Sequence, residues 1–137
     1  QGDVNGLDRV HMLEYLPDTI HILQLLSASK FSINYKLHGN VLSAAVNTPF
    51  ISISYHLKSI EFSRFIDLSI EEKYSIRTDF IQSADDFEEA LQNLHADGEM
   101  ERYQQLLKDK IETTDLKYNS MILELLKDIL LRRLEGR

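Results

Sequence analysis

The chain has 137 residues, 43% hydrophobic and 27% charged, a composition that fits one ordinary globular domain and excludes disorder and collagen-like repeats. It contains no cysteine, which excludes disulfide scaffolds, thiolate metal sites and cysteine nucleophiles. The formal net charge is −7 and no basic stripe occurs, so neither nucleic acid nor an anionic membrane surface is an expected partner.

A chain of this size buries about two-thirds of its unfolded surface and can hold its own core. No apolar run approaches the roughly 20 residues that a bilayer requires, and no charged leader precedes one. A cytoplasmic location is therefore expected, at most against the inner face of the membrane. The sequence opens Gln1-Gly2-Asp3 without a methionine, which leads us to expect a missing upstream part.

Val10 to Tyr15 is a short apolar-rich run closed by Leu16-Pro17-Asp18, and Asp18 is a good N-cap for a helix starting at Thr19. From Thr19 to Ser27, Ile20, Ile22, Leu23, Leu25 and Leu26 predict a helix buried on most of its faces. Phe31 to Tyr35 alternates as a strand does, and Gly39 to Asn47 is small and apolar in the manner of a tightly packed helix. Pro49 to Tyr55 is the clearest strand. Leu57 to Ile66 predicts a helix with Ile60, Phe62, Phe65 and Ile66 inward.

Tyr74-Ser75-Ile76 predicts a short further strand, and Ser83 or Asp85 caps a helix running through Leu94. Asp85, Asp86, Glu88 and Glu89 crowd the first turns of that helix, where acidic groups complement the macrodipole. We read them as capping and solvation rather than as a metal site. Strands alternating with helices of about 10–15 residues predict βαβ units and a parallel sheet. The fold class is α/β, half of a doubly wound, Rossmann-like sheet flanked by helices.

Past Asp97-Gly98 the period becomes purely helical. Met100, Tyr103, Leu106, Leu107 and Ile111 form one stripe, and beyond a candidate cap at Asp115 a wider stripe runs from Met121 to Leu134. The expected division is an α/β domain over residues 1–96 and a C-terminal helical extension over residues 97–137. The extension packs on the chain's own sheet, or it presents a face to a partner domain or to a second copy in a homo-oligomer. Both readings stay open here.

Chemistry concentrates at two strand–helix joins. In open α/β sheets, ligands bind beyond the carboxyl ends of the strands. Tyr35-Lys36-Leu37-His38-Gly39-Asn40 is one such join: a helix starting near His38 offers free N–H groups and a positive dipole end to an anion. Gly39 permits close backbone approach, Lys36 adds a permanent charge, and His38 can carry a proton near neutral pH. Such a group of residues describes a phosphate or carboxylate pocket that also moves a proton, or else ordinary turn chemistry. Ser54-Tyr55-His56-Leu57-Lys58 is the second join, able to face the same crevice, or else a snorkelling lysine beside a solvated histidine. His11, His21 and His95 lack ligand-like spacing and are read as structural. No zincin, P-loop, serine-hydrolase or dinucleotide-binding motif occurs, and no metal or cofactor is expected.

The stretch KLHGNVLSAAVNTPFISISYHLK, Lys36 to Lys58, resembles the signature of the polysaccharide pyruvyl transferase family. That family's pattern is a strand, Arg-Leu-His-Gly, a small-residue helix, a proline turn, a strand and Tyr-x-x-Lys. The likeness extends more loosely from Val10 to Leu94. The resemblance implies one half of a two-domain GT-B-like enzyme of bacterial exopolysaccharide synthesis. Such enzymes move pyruvate from phosphoenolpyruvate onto a saccharide acceptor as a ketal, and here the amino-terminal half would be missing. It implies donor binding by Lys36, Leu37, His38, Gly39, Asn40, Tyr55 and Lys58, with His38 catalytic.

Two departures stand out. Lys36 replaces the usual arginine, keeping the charge and losing the bidentate fork, and His56 stands where an acidic residue is more usual. A nucleotide-sugar-binding half of a GT-B glycosyltransferase is the nearest alternative. A non-catalytic α/β module that dimerises through its C-terminal helices is the alternative from another class.

Overall fold

The computed structural model describes residues 9–14, 18–78 and 84–114, with Leu131 and Gly136. The expected Leu16-Pro17 break, the Ser83 cap, the Asp115 cap and nearly all of the Met121–Leu134 stripe lie outside the described residues. In chain order the elements are α1 (Thr19–Ala28), β1 (Ser32–Asn34), α2 (Leu37–Ala45), β2 (Phe50–Ser54), α3 (Leu57–Ile66), α4 (Leu68–Tyr74), β3 (Ser75–Arg77) and α5 (Asp85–His95). A further helix, α6, covers residues 99–114. Residues 10–14 are exposed and carry no regular structure.

The three strands form one parallel sheet in the order β1-β2-β3. Parallel neighbours need a crossover, and the helices between the strands supply it. The α/β, Rossmann-like expectation therefore holds. The register places Ile33 beside Ile51 and Ile53 beside Ile76. Strand alternation then puts Ser32, Asn34, Phe50, Ser52, Ser54 and Ser75 on one side of the sheet, and the four isoleucines on the other.

Phe50 and Ile51 are wholly buried, which explains why a five-residue strand can serve as the centre of the fold. The core gathers Ile66, Ile70, Tyr74, Ile76, Ala90, Leu94, Tyr103 and Leu107 around them. The stripe on α6 thus faces this chain's own sheet: the buried Tyr103 hydroxyl donates to the Phe50 carbonyl at 2.7 Å. Its ring lies 5.0 Å from that of Tyr74 and 5.8 Å from that of Phe50. Burial pushes the Tyr103 phenol well above its ordinary pKa.

Four expectations need correction. Asp18 does cap α1, accepting from the Ile20 N–H at 2.9 Å, yet no residue of α1 is buried. The helix packs mainly on α2 and is otherwise turned to solvent, with Ile20 63% exposed. The helix expected from Gly39 begins two residues earlier, because Lys36 is extended and can serve as its N-cap residue. Phe65, expected inward, is half-exposed, with the Lys110 ammonium 4.9 Å from its ring centre. Asp85 is the first residue inside α5 rather than its cap; with Asp86 and Glu88 it lies in the first turn, where the helix dipole favours acids.

α4 was not expected from the sequence. Its signal was present: Asp67 ahead of Leu68-Ser69 accepts hydrogen bonds from the Ser69 N–H and hydroxyl, while Ile70 and Tyr74 turn inward. A Glu99 carboxylate on α6 fastens this helix, accepting from the Tyr74 hydroxyl at 2.6 Å, from Arg102 at 2.7 Å and from Lys73 at 3.3 Å. The Arg102 guanidinium is the main reason that Glu99 is held down to a pKa of about 2.

Candidate functional site: two basic joins at the carboxyl edge

β1 ends at Asn34 and β2 at Ser54, and parallel pairing brings both carboxyl ends to one edge. Beyond each end the chain turns through two residues into a helix. The Gly39 N–H donates to the Lys36 carbonyl at 3.0 Å, and the Ser59 N–H donates to the His56 carbonyl at 3.1 Å. Two like turns therefore start α2 and α3. The Tyr35 and Tyr55 rings stack across them at 4.6 Å with 19° between planes, so the joins adjoin.

The helix starts differ in one respect. At α3 the His56 imidazole takes the cap, its Nδ1 accepting from the Lys58 N–H at 3.2 Å. That contact leaves Nδ1 unprotonated in the neutral ring and puts the proton on Nε2. At α2 no side chain caps the first turn, because lysine has no acceptor to offer there. An uncapped first turn beside Lys36 and His38, on a chain of net charge −7, is a local reversal of sign. No acidic residue occurs in 35–40 or 55–59.

The residues singled out from sequence separate into two layers. Lys36, His38, Tyr55 and Lys58 are exposed at the edge, and Leu37 is half-buried. Gly39 and Asn40 belong beneath it. A Cβ at Gly39 would lie 2.9 Å from Cβ and Cγ of Asn34, so the strand, rather than a ligand, occupies the space this glycine leaves. Asn40 has no exposure, and its amide donates to the Ser52 hydroxyl at 2.8 Å.

That bond belongs to a polar layer that was not expected from the sequence. Ser52 and Ser54 exchange a hydrogen bond at 2.9 Å, and Ser32 and Ser43 another at 2.8 Å. The Asn34 amide donates to both Ser32 and Ser43, and the Ser43 hydroxyl donates to the Gly39 carbonyl at 2.7 Å. The layer pins α2 to β1 and β2 directly under the joins. Its signal lay in a repeat: Ser32-Ile-Asn-Tyr35-Lys-Leu-His38 and Ser52-Ile-Ser-Tyr55-His-Leu-Lys58 carry Ser, Ile, Tyr and Leu at equivalent places twenty residues apart. The two basic residues of each join stand in opposite order.

Residues 3–56 match the family model of polysaccharide pyruvyl transferase. The pyruvyl transferase match takes in β1, α2, β2 and both tyrosines, and it ends two residues before Lys58. It falls on the segment whose Lys36-Leu37-His38-Gly39 block resembles that family. No curated protein and no solved structure matches the chain.

Chemically, the edge offers ammonium groups, imidazoles and backbone donors, and no redox or metal-binding set. Among the described residues no three His, Asp or Glu side chains gather where they could hold a metal ion. No helix among them is long and apolar enough to cross a membrane. An apolar hollow of about 330 Å³ lies elsewhere, between α2, α3 and α6, walled by Val41, Phe62, Phe65, Leu107 and Ile111. Its walls can exclude water but hold few groups to orient a reacting anion.

Proposed function

We propose that this chain is the donor-binding, carboxyl-terminal part of a polysaccharide pyruvyl transferase, with phosphoenolpyruvate as donor and a saccharide as acceptor. The observation that carries the reading is the adjoining of two basic joins at one sheet edge, inside the segment matched by the family model as far as His56. Lys36 and the uncapped first turn of α2 receive the phosphate. Lys58 pairs with the donor carboxylate, and His38 exchanges the proton. In the transfer, the enol carbon gains a proton and the neighbouring carbon becomes oxocarbenium-like. A sugar hydroxyl adds there and returns a proton to His38, phosphate departs with the electrons of the broken C–O bond, and a second hydroxyl closes the ketal as its proton passes to the departing phosphate. Asn40 and Gly39 act from below, by fixing where α2 begins.

Calorimetric titration of the chain with phosphoenolpyruvate tests this. His38→Ala and Lys36→Ala are each expected to weaken binding about tenfold, the worth of one charge-assisted hydrogen bond. Unchanged affinity in both variants overturns the assignment. Saturable binding of a nucleoside diphosphate in place of phosphoenolpyruvate makes the protein a glycosyltransferase half instead.

A further inference from the structure

We infer that the stacked Tyr35–Tyr55 pair is a saccharide platform, the surface on which the acceptor's sugar ring rests while the donor occupies the basic joins. The inference rests on the functional reading above, adds Tyr35 to it, and gives Tyr55, which the family resemblance places at the donor, to the acceptor instead.

Three observations support it. The rings stack at 4.6 Å and yet remain 54% and 52% exposed, so each braces the other while both stay open to solvent. A flexible aromatic on a loop would lose entropy on binding; two rings that already brace each other lose little. Second, the tyrosines hold equivalent places in the two repeated joins, each immediately after its strand, where ligands of open sheets bind. Third, the flanking polar groups are donors: Lys36 follows Tyr35, and His56 follows Tyr55 with its ring edge-on at 6.4 Å.

A pyranose suits this arrangement. The C–H groups on one face of the sugar carry slight positive charge and lie against the negative face of an aromatic ring. The hydroxyls around the rim then meet the phenols, the lysine ammonium and the imidazole N–H. Distance favours the same occupant. The acceptor hydroxyl must reach the donor carbon, and the tyrosines are one to three residues from Lys36, His38 and Lys58. A buried-core role for the pair would have closed both rings from solvent, and the structure leaves them open.

The test is saturation-transfer NMR on the 137-residue chain with a panel of methyl glycosides (galactoside, glucoside, mannoside, N-acetylglucosaminide), alongside the phosphoenolpyruvate titration. At least one glycoside is expected to show transfer strongest at its ring C–H protons. Tyr35→Leu and Tyr55→Leu should reduce that signal at least threefold, and Tyr35→Phe and Tyr55→Phe should retain most of it. Melting curves identify any variant that fails to fold; if one Leu variant does, the other decides, and if both do, the folded Tyr35→Ser and Tyr55→Ser variants replace them with the same expected loss. The platform is overturned if no glycoside shows transfer to wild type, if the folded Leu variants keep the signal, or if uridine, offered as a flat nucleobase, replaces the glycosides. Glycoside binding without phosphoenolpyruvate binding would sink the donor reading and leave the platform standing; the reverse result would sink the platform alone.

Discussion

Gly39 sits in the first turn of a helix, where glycine ordinarily costs about 1 kcal/mol relative to alanine. Here the sign reverses. An added Cβ meets Cβ and Cγ of Asn34 at 2.9 Å, and Asn34 is itself bonded to Ser32 and Ser43. Gly39→Ala is therefore expected to destabilise by about 1–3 kcal/mol, the usual toll of overpacking, read as a lower midpoint in urea. Because the Asn34 Cβ is one of the clashing atoms, Asn34→Gly should recover part of that loss and Asn34→Ala little. An alanine variant more stable than wild type would show that the join tolerates a wider gap. Asn40 makes the same point: a residue type that looks suited to a ligand serves as a buried peg between α2 and β2.

Among the elements, α6 binds the second half of the chain to the first. Tyr103→Phe removes the donor to the Phe50 carbonyl at the heart of β2 and is expected to cost about 1 kcal/mol. Leu107→Ala, at a site 1% exposed, is expected to cost about 2–5 kcal/mol. If both denature with the wild-type midpoint, α6 is not part of the cooperative unit. The stripe that marks α6 was legible because Tyr103 and Leu107 keep helical spacing, as were the bounds of α3 and the parallel pairing of β-branched β2. Three features escaped for physical reasons. α4 is only seven residues long, too short for periodicity to stand out. The exposure of α1 depends on what packs over it, which no local pattern encodes. The serine–asparagine layer consists of residue types that usually face water, so their burial shows only when strand and helix are brought together. The joins were legible because their chemistry is contiguous in sequence; their adjacency needed the Tyr35–Tyr55 contact.

For the molecule as a whole, acid is the expected weakness. Glu99 titrates near 2 in the folded chain against an ordinary 4.5, and Asp67 and Glu71 are also lowered, by hydrogen bonds from Ser69 and Arg64 respectively. Carboxylates of this kind stabilise the fold fully above about pH 4.5, and the contribution is lost as pH falls towards the folded value. Glu99→Gln should lower stability by about 1–3 kcal/mol near neutrality, since it weakens bonds to Arg102, Lys73 and Tyr74. It should also flatten the decline of melting temperature between pH 6 and pH 3. Parallel melting profiles for variant and wild type would remove Glu99 from the cause.

The hydroxyl-faced side of the sheet has a mechanical consequence. Apolar contacts are non-directional, so a helix resting on leucines can slide a little without loss. α2 instead rests on the sheet through its Ser43 and Asn40, bonded to Ser32 and Ser52 respectively at 2.8 Å, bonds whose length and angle both matter. The gap beneath the helix is set by bond geometry rather than by side-chain bulk. Lys36 and His38 ride on the end of that helix, so their placement over the sheet edge inherits the tolerance of a hydrogen bond.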